Sequence, residues 1–446
     1  MSKTTTMIIS FSVKNFKTFK KKATISLIAS NYDKTTRVEE NIISDNIFDL
    51  KILKSSVIYG ANASGKSKFL EALLFMKNFV IESSKETQKG DLISVVPFKL
   101  STESENDNTE FEIVFEQKNT IFRYGFEVNK NFVAAEWLYR KQKIKEVELF
   151  YREEQEFEVH KEMSKAVKIS KEGLIRDNAL FISVAAQFND ETSITIIEWF
   201  KQLRTLSGLF EESYKGFTLG KTEEPIQKSK ILELLKAADL GIDNVELTIL
   251  DDSNIPNDVP KELRDKLIKA VKDGDKIVSD VLMSHKKFDA SGRAVGNVSF
   301  SVDDDESAGT NKFFALTGPI LDVLENGYTL IVDELDSKLH PNLVCKIVSL
   351  FNSKEFNTRK SQLIFNTHDT NLLSSGLFRR DQIWFTEKDK YGAASLYSLA
   401  DFKEQRVRKE EAFEDNYIRG KYGAVPYMGL FDNLIAQKVL QDENEK

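Results

Sequence analysis

Ser55-Ser-Val-Ile-Tyr59-Gly60-Ala-Asn-Ala-Ser-Gly65-Lys66-Ser67-Lys68 is the stretch from which the rest of the chain can be read. A short apolar run stops at Gly60. Beyond it, from Lys66 to Ser83, Phe69, Leu70, Leu73, Leu74 and the Lys77–Val80 group recur at helical spacing. The order is therefore strand, glycine-containing loop, helix. The loop fits G-x-x-x-x-G-K-[ST] in the context that pattern requires, so it is a candidate phosphate-binding loop. Glycines let backbone N–H groups turn inward around phosphate oxygens at a helix N-terminus. Gly60, Ala61, Asn62, Ala63, Ser64, Gly65 and Lys68 are its candidate binding residues. Lys66 is placed to reach the β- and γ-phosphates, with a catalytic share, and the Ser67 hydroxyl to ligate Mg²⁺.

Downstream, Tyr328-Thr-Leu-Ile-Val-Asp333-Glu334 reads as a buried strand whose carboxylates emerge at its end. Any strand can end in Asp-Glu. Paired with the loop, the pattern makes Asp333 a candidate Mg²⁺ ligand and Glu334 a candidate general base for an attacking water. Glu306-Ser307-Ala308-Gly309-Thr310 precedes a helix expected from Asn311 to Leu321. It is either a phosphate-contacting turn or a plain N-cap. Gln362-Leu-Ile-Phe-Asn-Thr-His368-Asp369 is a further apolar strand, ending in a lone histidine. One strand after the acidic pair, His368 is a candidate catalytic residue.

Lys66 and Asp333 lie too far apart for a compact core without insertions. Between them, Phe111, Ile113 and Phe115, then Phe122, Tyr124, Phe126 and Val128, alternate with other residues about a turn at Gln117–Thr120, which describes a hairpin of an antiparallel sheet. Residues 191 to 285 read as a mostly helical insertion, with helices expected over Ile226–Ala238 and Lys261–Val281 and a linker over Asp251–Pro260. From Phe300 onward, strands and helical segments alternate as in a parallel α/β sheet. Gln441–Lys446 reads as a polar tail.

With 41% hydrophobic residues, 32 of them Phe, the chain has ample material for a core. Its 63 basic and 70 acidic residues give a net charge of -7, which argues against a uniformly basic nucleic-acid coat. One cysteine and four histidines leave no disulfide framework and no Cys- or His-rich metal cluster. The first residues lack the apolar run of a secretory signal, and no stretch approaches about 18 uncharged apolar residues. The expected location is the cytoplasm, with no membrane contact.

Taken in order, these motifs resemble the ABC-type ATPase heads that include the SMC, RecF and OLD proteins. Within that group they resemble a bacterial family of stand-alone ATPases containing RloA, AbiLi and AriA, the ATPase of the PARIS anti-phage system. The resemblance spans nearly the whole chain. It rests on Phe11-Ser-Val-Lys-Asn15-Phe16, the loop Gly60–Ser67, Phe122-Arg-Tyr-Gly-Phe126, Glu306–Thr310, Asp333-Glu-Leu-Asp-Ser-Lys-Leu-His340-Pro341, Thr367-His-Asp369 and Tyr417-Ile-Arg-Gly-Lys-Tyr-Gly-Ala-Val-Pro426.

The resemblance implies an α/β, P-loop NTPase fold of the ABC-ATPase head type, with an antiparallel β subdomain and a helical insertion. The expected divisions are an N-terminal ATPase lobe (1–190), the insertion (191–285), a C-terminal ATPase lobe (286–400) and a family-specific segment (401–446). It implies ATP and Mg²⁺ as cofactors, and a homodimer or higher homo-oligomer in which Ser307 and Gly309 contact the γ-phosphate on the other subunit. His368 becomes a switch histidine, and Asp336 part of the loop crossing the dimer interface. Gln187 is either a glutamine near Mg²⁺ or a plain surface residue.

The chain after His368 is too short for a nuclease domain of about 100 residues. The expected role is thus an ATP-hydrolysing sensor or scaffold of an anti-phage system, acting with a separately encoded toxic effector such as a TOPRIM-type nuclease and a phage-encoded trigger. Two alternatives remain. One is a RecF-like repair ATPase with nucleic acid as partner, using Lys14, Lys17, Lys20, Lys21, Lys22, Arg379 and Arg380 as a groove. The other is a scaffold in which ATP is only structural.

Overall fold

The computed structural model describes residues 7–45, 47–86, 88–250, 260–273, 277–402 and 412–426. All of the 251–260 linker except Pro260, and the 441–446 tail, lie outside them. The chain divides into two compact units. The first comprises Met1–Thr205, Asn326–Leu335 and Cys345–Lys446, and the second Leu206–Glu325 and Asp336–Val344.

The first unit contains a six-stranded sheet in the order Leu203–Ser207, Thr329–Asp333, Gln362–Asn366, Ser55–Gly60, Ile383–Lys388, Ala394–Ser398. The middle four strands pair in parallel, and the last pair is an antiparallel hairpin. Every residue of Ser55–Gly60 and Gln362–Asn366 is buried, as expected of parallel strands covered on both faces. The histidine strand thus lies between the loop strand and the acidic strand. This order brings Gly60, Asp333 and Asn366 to one edge, the carboxyl ends, where open α/β sheets bind ligands.

A second, seven-stranded antiparallel sheet runs in the order Glu156–Val159, Glu146–Glu153, Val133–Lys141, Thr120–Val128, Thr109–Gln117, Met7–Lys14, Ala23–Ser26. The expected hairpin closes with Gln117 opposite Thr120. The loop helix Lys66–Glu82 packs against strands of both sheets and buries Phe69, Leu70, Leu73, Met76 and Val80. Phe75 stacks on Phe111 at 5.0 Å between ring centroids. Gln362 stitches the sheets together: its Oε1 accepts from the Ile8 amide (2.7 Å), while Nε2 donates to the Ile8 and Leu53 carbonyls (3.1 and 3.0 Å).

Glu136 is a buried node of the same sheet. It accepts from the Tyr124 hydroxyl (3.0 Å) and from the amides of Phe181 (2.6 Å) and Ile182 (3.1 Å), the first turn of helix Phe181–Gln187. Arg152, equally buried, lies 3.5 Å away and donates to the Glu154 and Ala179 carbonyls. Burial pushes the Glu136 carboxyl up, and the guanidinium and helix amides oppose that shift.

The insertion is helical over Glu191–Lys201, Glu212–Thr222, Pro225–Ala237 and Lys261–Lys272, and it also carries strands. The helix read through to Val281 stops at Lys272. Val278–Phe288 is instead the central strand of a three-stranded antiparallel sheet, between Ile242–Ile249 and Ala294–Ser301. Its apolar residues Val278, Val281, Leu282 and Met283 fit either period locally, and only pairing with distant strands decides between them.

In the second unit the helix after the Ser307 turn runs from Ala308 to Asn326, with Pro319 inside it. Proline has no N–H for the Ala315 carbonyl four residues back. Thr218 repairs the gap: its hydroxyl donates to Ala315 O (2.6 Å) and accepts from the Gly318 amide (3.2 Å). The fit requires glycine at 318, because a Cβ there would lie 2.4 Å from the Thr218 hydroxyl.

Candidate nucleotide site

Two glycines shape the loop. Gly60 ends its strand at φ +154°, where a Cβ would meet Ser64 Oγ and the Thr386 carbonyl at 2.5 Å. Gly65 caps the helix at φ +120°, against Thr18 and Ala394. Strand Ile383–Lys388 braces the loop, its Thr386 hydroxyl 2.6 Å from that of Ser64. The Lys66 ammonium is buried and folds back to donate to the loop carbonyls of Gly60 (2.8 Å) and Ala61 (3.2 Å).

The loop opens onto a cavity of about 650 Å³ within the first unit. It is lined by Asn62, Ala63, Ser64, Gly65, Lys66, Ser67 and Lys68 together with Thr18, Glu334, His368 and Lys388. Folding thus brings residues separated by some 300 positions to one cavity. Asp333 stands at the end of its strand beside them.

Asn366, which sequence reasoning passed over, organises the acidic pair. Its Nδ2 donates to Asp333 Oδ1 (2.5 Å) and its Oδ1 accepts from the Glu334 amide (2.6 Å). Asn366 itself is wholly buried, while the two carboxylate residues it holds are half-buried at the cavity. Glu334 adopts a left-handed backbone at φ +56°, which turns the chain just after the strand. The signal was present as a polar residue closing the apolar run 362–366, next to Thr367 and His368. Thr18 and Lys388 were also missed, since each becomes part of the cavity only through tertiary packing. The Thr18 hydroxyl oxygen is buried with no hydrogen-bond partner among the described residues.

A hard divalent cation fits this donor set. Asp333 commits Oδ1 to Asn366, and no described residue bonds to its Oδ2 or to the Ser67 hydroxyl. In phosphate sites Mg²⁺ takes one or two protein oxygens plus phosphate and water rather than a full protein cage. Lys66 holds its positive charge where phosphate oxygens would replace the loop carbonyls.

The motif Tyr417–Pro426 packs under the loop. The Tyr417 ring lies 5.7 Å from Tyr59 and stacks on Phe385 at 5.4 Å, Tyr422 stacks on Phe385 at 5.8 Å, and Thr370 donates to Glu414 (2.9 Å). Burial pushes the Tyr417 phenol up to about 12, against an opposing pull from a hydrogen bond with the Gly60 backbone. Residues 403–411 and 427–446 of the expected 401–446 segment lie outside the described residues.

Ser307, Gly309 and Asp336 belong to the second unit. Ser307 is exposed, and its hydroxyl accepts from the Thr310 amide (3.1 Å), so it does act as a helix cap. Gly309 fits against Lys338, whose carbonyl oxygen would lie 2.8 Å from a Cβ there.

One expectation needs correction. Gln187 is an exposed residue ending helix Phe181–Gln187, and its amide donates to the Ser84 carbonyl (3.4 Å). Ser84 lies just past the far end of the loop helix, about 25 Å along the axis from Ser67 at 1.5 Å per residue. Gln187 therefore stands away from the metal position. Several of the candidate groove residues are engaged within the chain. Lys17 pairs with Glu71, Lys20 with Glu103, and Lys22 with Glu110 and Glu112. Arg379 is buried, bonding Asp381 and the Asp33 carbonyl, and Arg380 donates to the Phe402 carbonyl.

No described helix is long and apolar enough to cross a membrane. No curated protein matches the sequence. Among solved structures, an SMC head bound to the C-terminal winged-helix domain of ScpA is similar over 88% of this chain and 97% of its own, at 12% identity and a TM-score of 0.46. The SMC head domain from Thermotoga maritima has the same identity and coverage of this chain, covers 98% of its own and scores 0.40. A Smc head with an extended coiled coil, bound to the C-terminal domain of ScpA derived from Pyrococcus furiosus, again at 12% identity, covers 88% and 96% and scores 0.41. A family model covers residues 55–374, from the start of the loop strand to past the histidine. The chain belongs to the AAA-domain family described as "AAA domain, putative AbiEii toxin, Type IV TA system".

Proposed function

We propose that the protein binds and hydrolyses ATP as the sensor or scaffold subunit of an anti-phage system of the RloA, AbiLi and AriA kind, controlling a separately encoded toxic effector. The observation that carries the ATPase part is the shared cavity: Lys66, Ser67, Glu334 and His368 line it, with Asn366 fixing the acidic pair. Lys66 and the loop amides bind the β- and γ-phosphates. Ser67 and Asp333 hold Mg²⁺, which when bound neutralises charge on the phosphate oxygens. Glu334 accepts the proton of the attacking water, and His368 donates a hydrogen bond to the γ-phosphate. Ser307, Gly309 and Asp336 act across a homodimer on the nucleotide held by the other subunit. The defence role is supported by the motif resemblance and by the toxin description attached to the family.

The test is ATP hydrolysis by the purified chain against protein concentration, with Lys66→Ala and Glu334→Gln alongside. A specific rate that climbs with concentration and falls by at least about a hundredfold in both variants supports composite sites. Turnover that survives both substitutions ends the ATPase reading. For the defence role, phage plating on cells carrying the native gene cluster should lose its protection when Glu334→Gln is introduced; unchanged protection overturns a hydrolysis-driven switch.

A further inference from the structure

The cavity has two ends. Glu334 and His368 mark the end where the γ-phosphate reacts under the reading proposed above, on which this inference rests. The sheet order puts strand Ile383–Lys388 on the opposite side of the loop strand from the strands that carry those two, so Lys388, with Thr18, marks the other. Lys388 is the last residue of strand Ile383–Lys388, two positions beyond Thr386. With a side-chain period of two it shares the face of the sheet from which Thr386 bonds Ser64. Across the hairpin it pairs with Ala394. The Ala394 amide donates to the Thr18 carbonyl (2.7 Å), and its methyl would lie 3.1 Å from a Cβ on Gly65. Lys388 is thereby fixed beside the N-terminus of the loop helix.

The other two lysines at the cavity are committed, Lys66 to loop carbonyls and Lys68 to Glu71, and nearby Lys17 also pairs with Glu71. The Lys388 ammonium has no hydrogen-bond or ion-pair partner among the described residues. Its neighbours do not neutralise it. Glu387 lies on the alternate face, taking a hydrogen bond from Tyr397, and Asp389 accepts from the amides of the turn residues Tyr391 and Ala393. An uncommitted cation at a polar cavity beside a helix N-terminus, next to a buried hydroxyl oxygen without a partner, has the chemistry of a polyphosphate contact.

We infer that Lys388 is a nucleotide-binding residue, a second cation that holds the α/β end of the polyphosphate while Lys66 holds the β/γ end. Because the contact lies away from the reacting phosphate, it serves ADP and ATP alike. It sets affinity and how long ADP stays bound, rather than the chemical step.

The test is calorimetric titration of ADP and ATP into the full-length Glu334→Gln protein with Mg²⁺, with and without Lys388→Met, Lys388→Arg and Lys66→Ala. Lys388→Met should weaken both nucleotides by about tenfold, and Lys388→Arg should keep most of the affinity. Unchanged affinity in Lys388→Met, with binding lost in Lys66→Ala, overturns this inference and leaves the nucleotide site standing. Weakening of ATP alone also overturns it, since that places Lys388 at the γ-phosphate. Unchanged binding in Lys66→Ala would instead overturn the nucleotide site itself.

Discussion

Strand Gln362–Asn366 and strand Ala294–Ser301 occupy opposite extremes of this molecule. In the first every residue is buried, and its polar members Gln362 and Asn366 spend their amides on other strands and on the acidic pair. In the second every residue but Ser301 is exposed, at the edge of a three-stranded sheet. The contrast teaches where geometry is stored. Around the cavity Lys66 is held by the loop carbonyls and the acidic pair by buried Asn366, so these positions are over-determined. The exposed strand is held by hydrogen bonds to one neighbour, Val278–Phe288, and such regions open at low free-energy cost.

The largest break should come at the buried carboxylate of the first unit. Glu136→Ala leaves Arg152 and two helix amides without their partner, and chemical denaturation should show a loss of about 3–5 kcal/mol. Asn366→Ala should next cut hydrolysis by about ten- to a hundredfold, as loss of a group that orients a reactive carboxylate does, while ATP affinity changes little. Equal loss of both would make Asn366 a general structural support. In the second unit, Thr218→Val removes the donor to Ala315 and should cost about 1–2 kcal/mol, visible as faster hydrogen exchange in helix Ala308–Asn326. The smallest effect belongs to the exposed strand: Val298→Thr should stay within about 0.5 kcal/mol. A larger loss there would mean that the strand is covered in solution.

The elements around the cavity were legible because local pattern and tertiary role agree. Gly60–Ser67 is contiguous, and strands buried on both faces announce themselves as apolar runs ending in Asp333-Glu334 and Thr367-His368. Asn366 was harder, because nothing in a single polar residue says that it faces a neighbouring strand's carboxylate. Lys388 and Thr18 join the cavity only through the hairpin's register. The strands within residues 242–301 were illegible for a related reason: their alternation is weak where both faces meet water, and the pairing Val278–Phe288 needs comes from Ile242–Ile249 across an intervening helix. Gln187 shows the reverse error, since a residue type expected near a metal ended up beyond the wrong end of a 17-residue helix.

Glu334 carries its carboxylate on a backbone that most side chains avoid, at φ +56°. A residue so placed costs the fold about 1 kcal/mol relative to one at ease there. Replacing it with glycine should therefore give a protein that melts at a higher temperature and turns over no ATP. Thermal selection alone would favour that change, so under the proposed ATPase reading the glutamate is a position where endurance and activity pull in opposite directions. Screens for hardier variants of this protein will tend to find inactive ones here first.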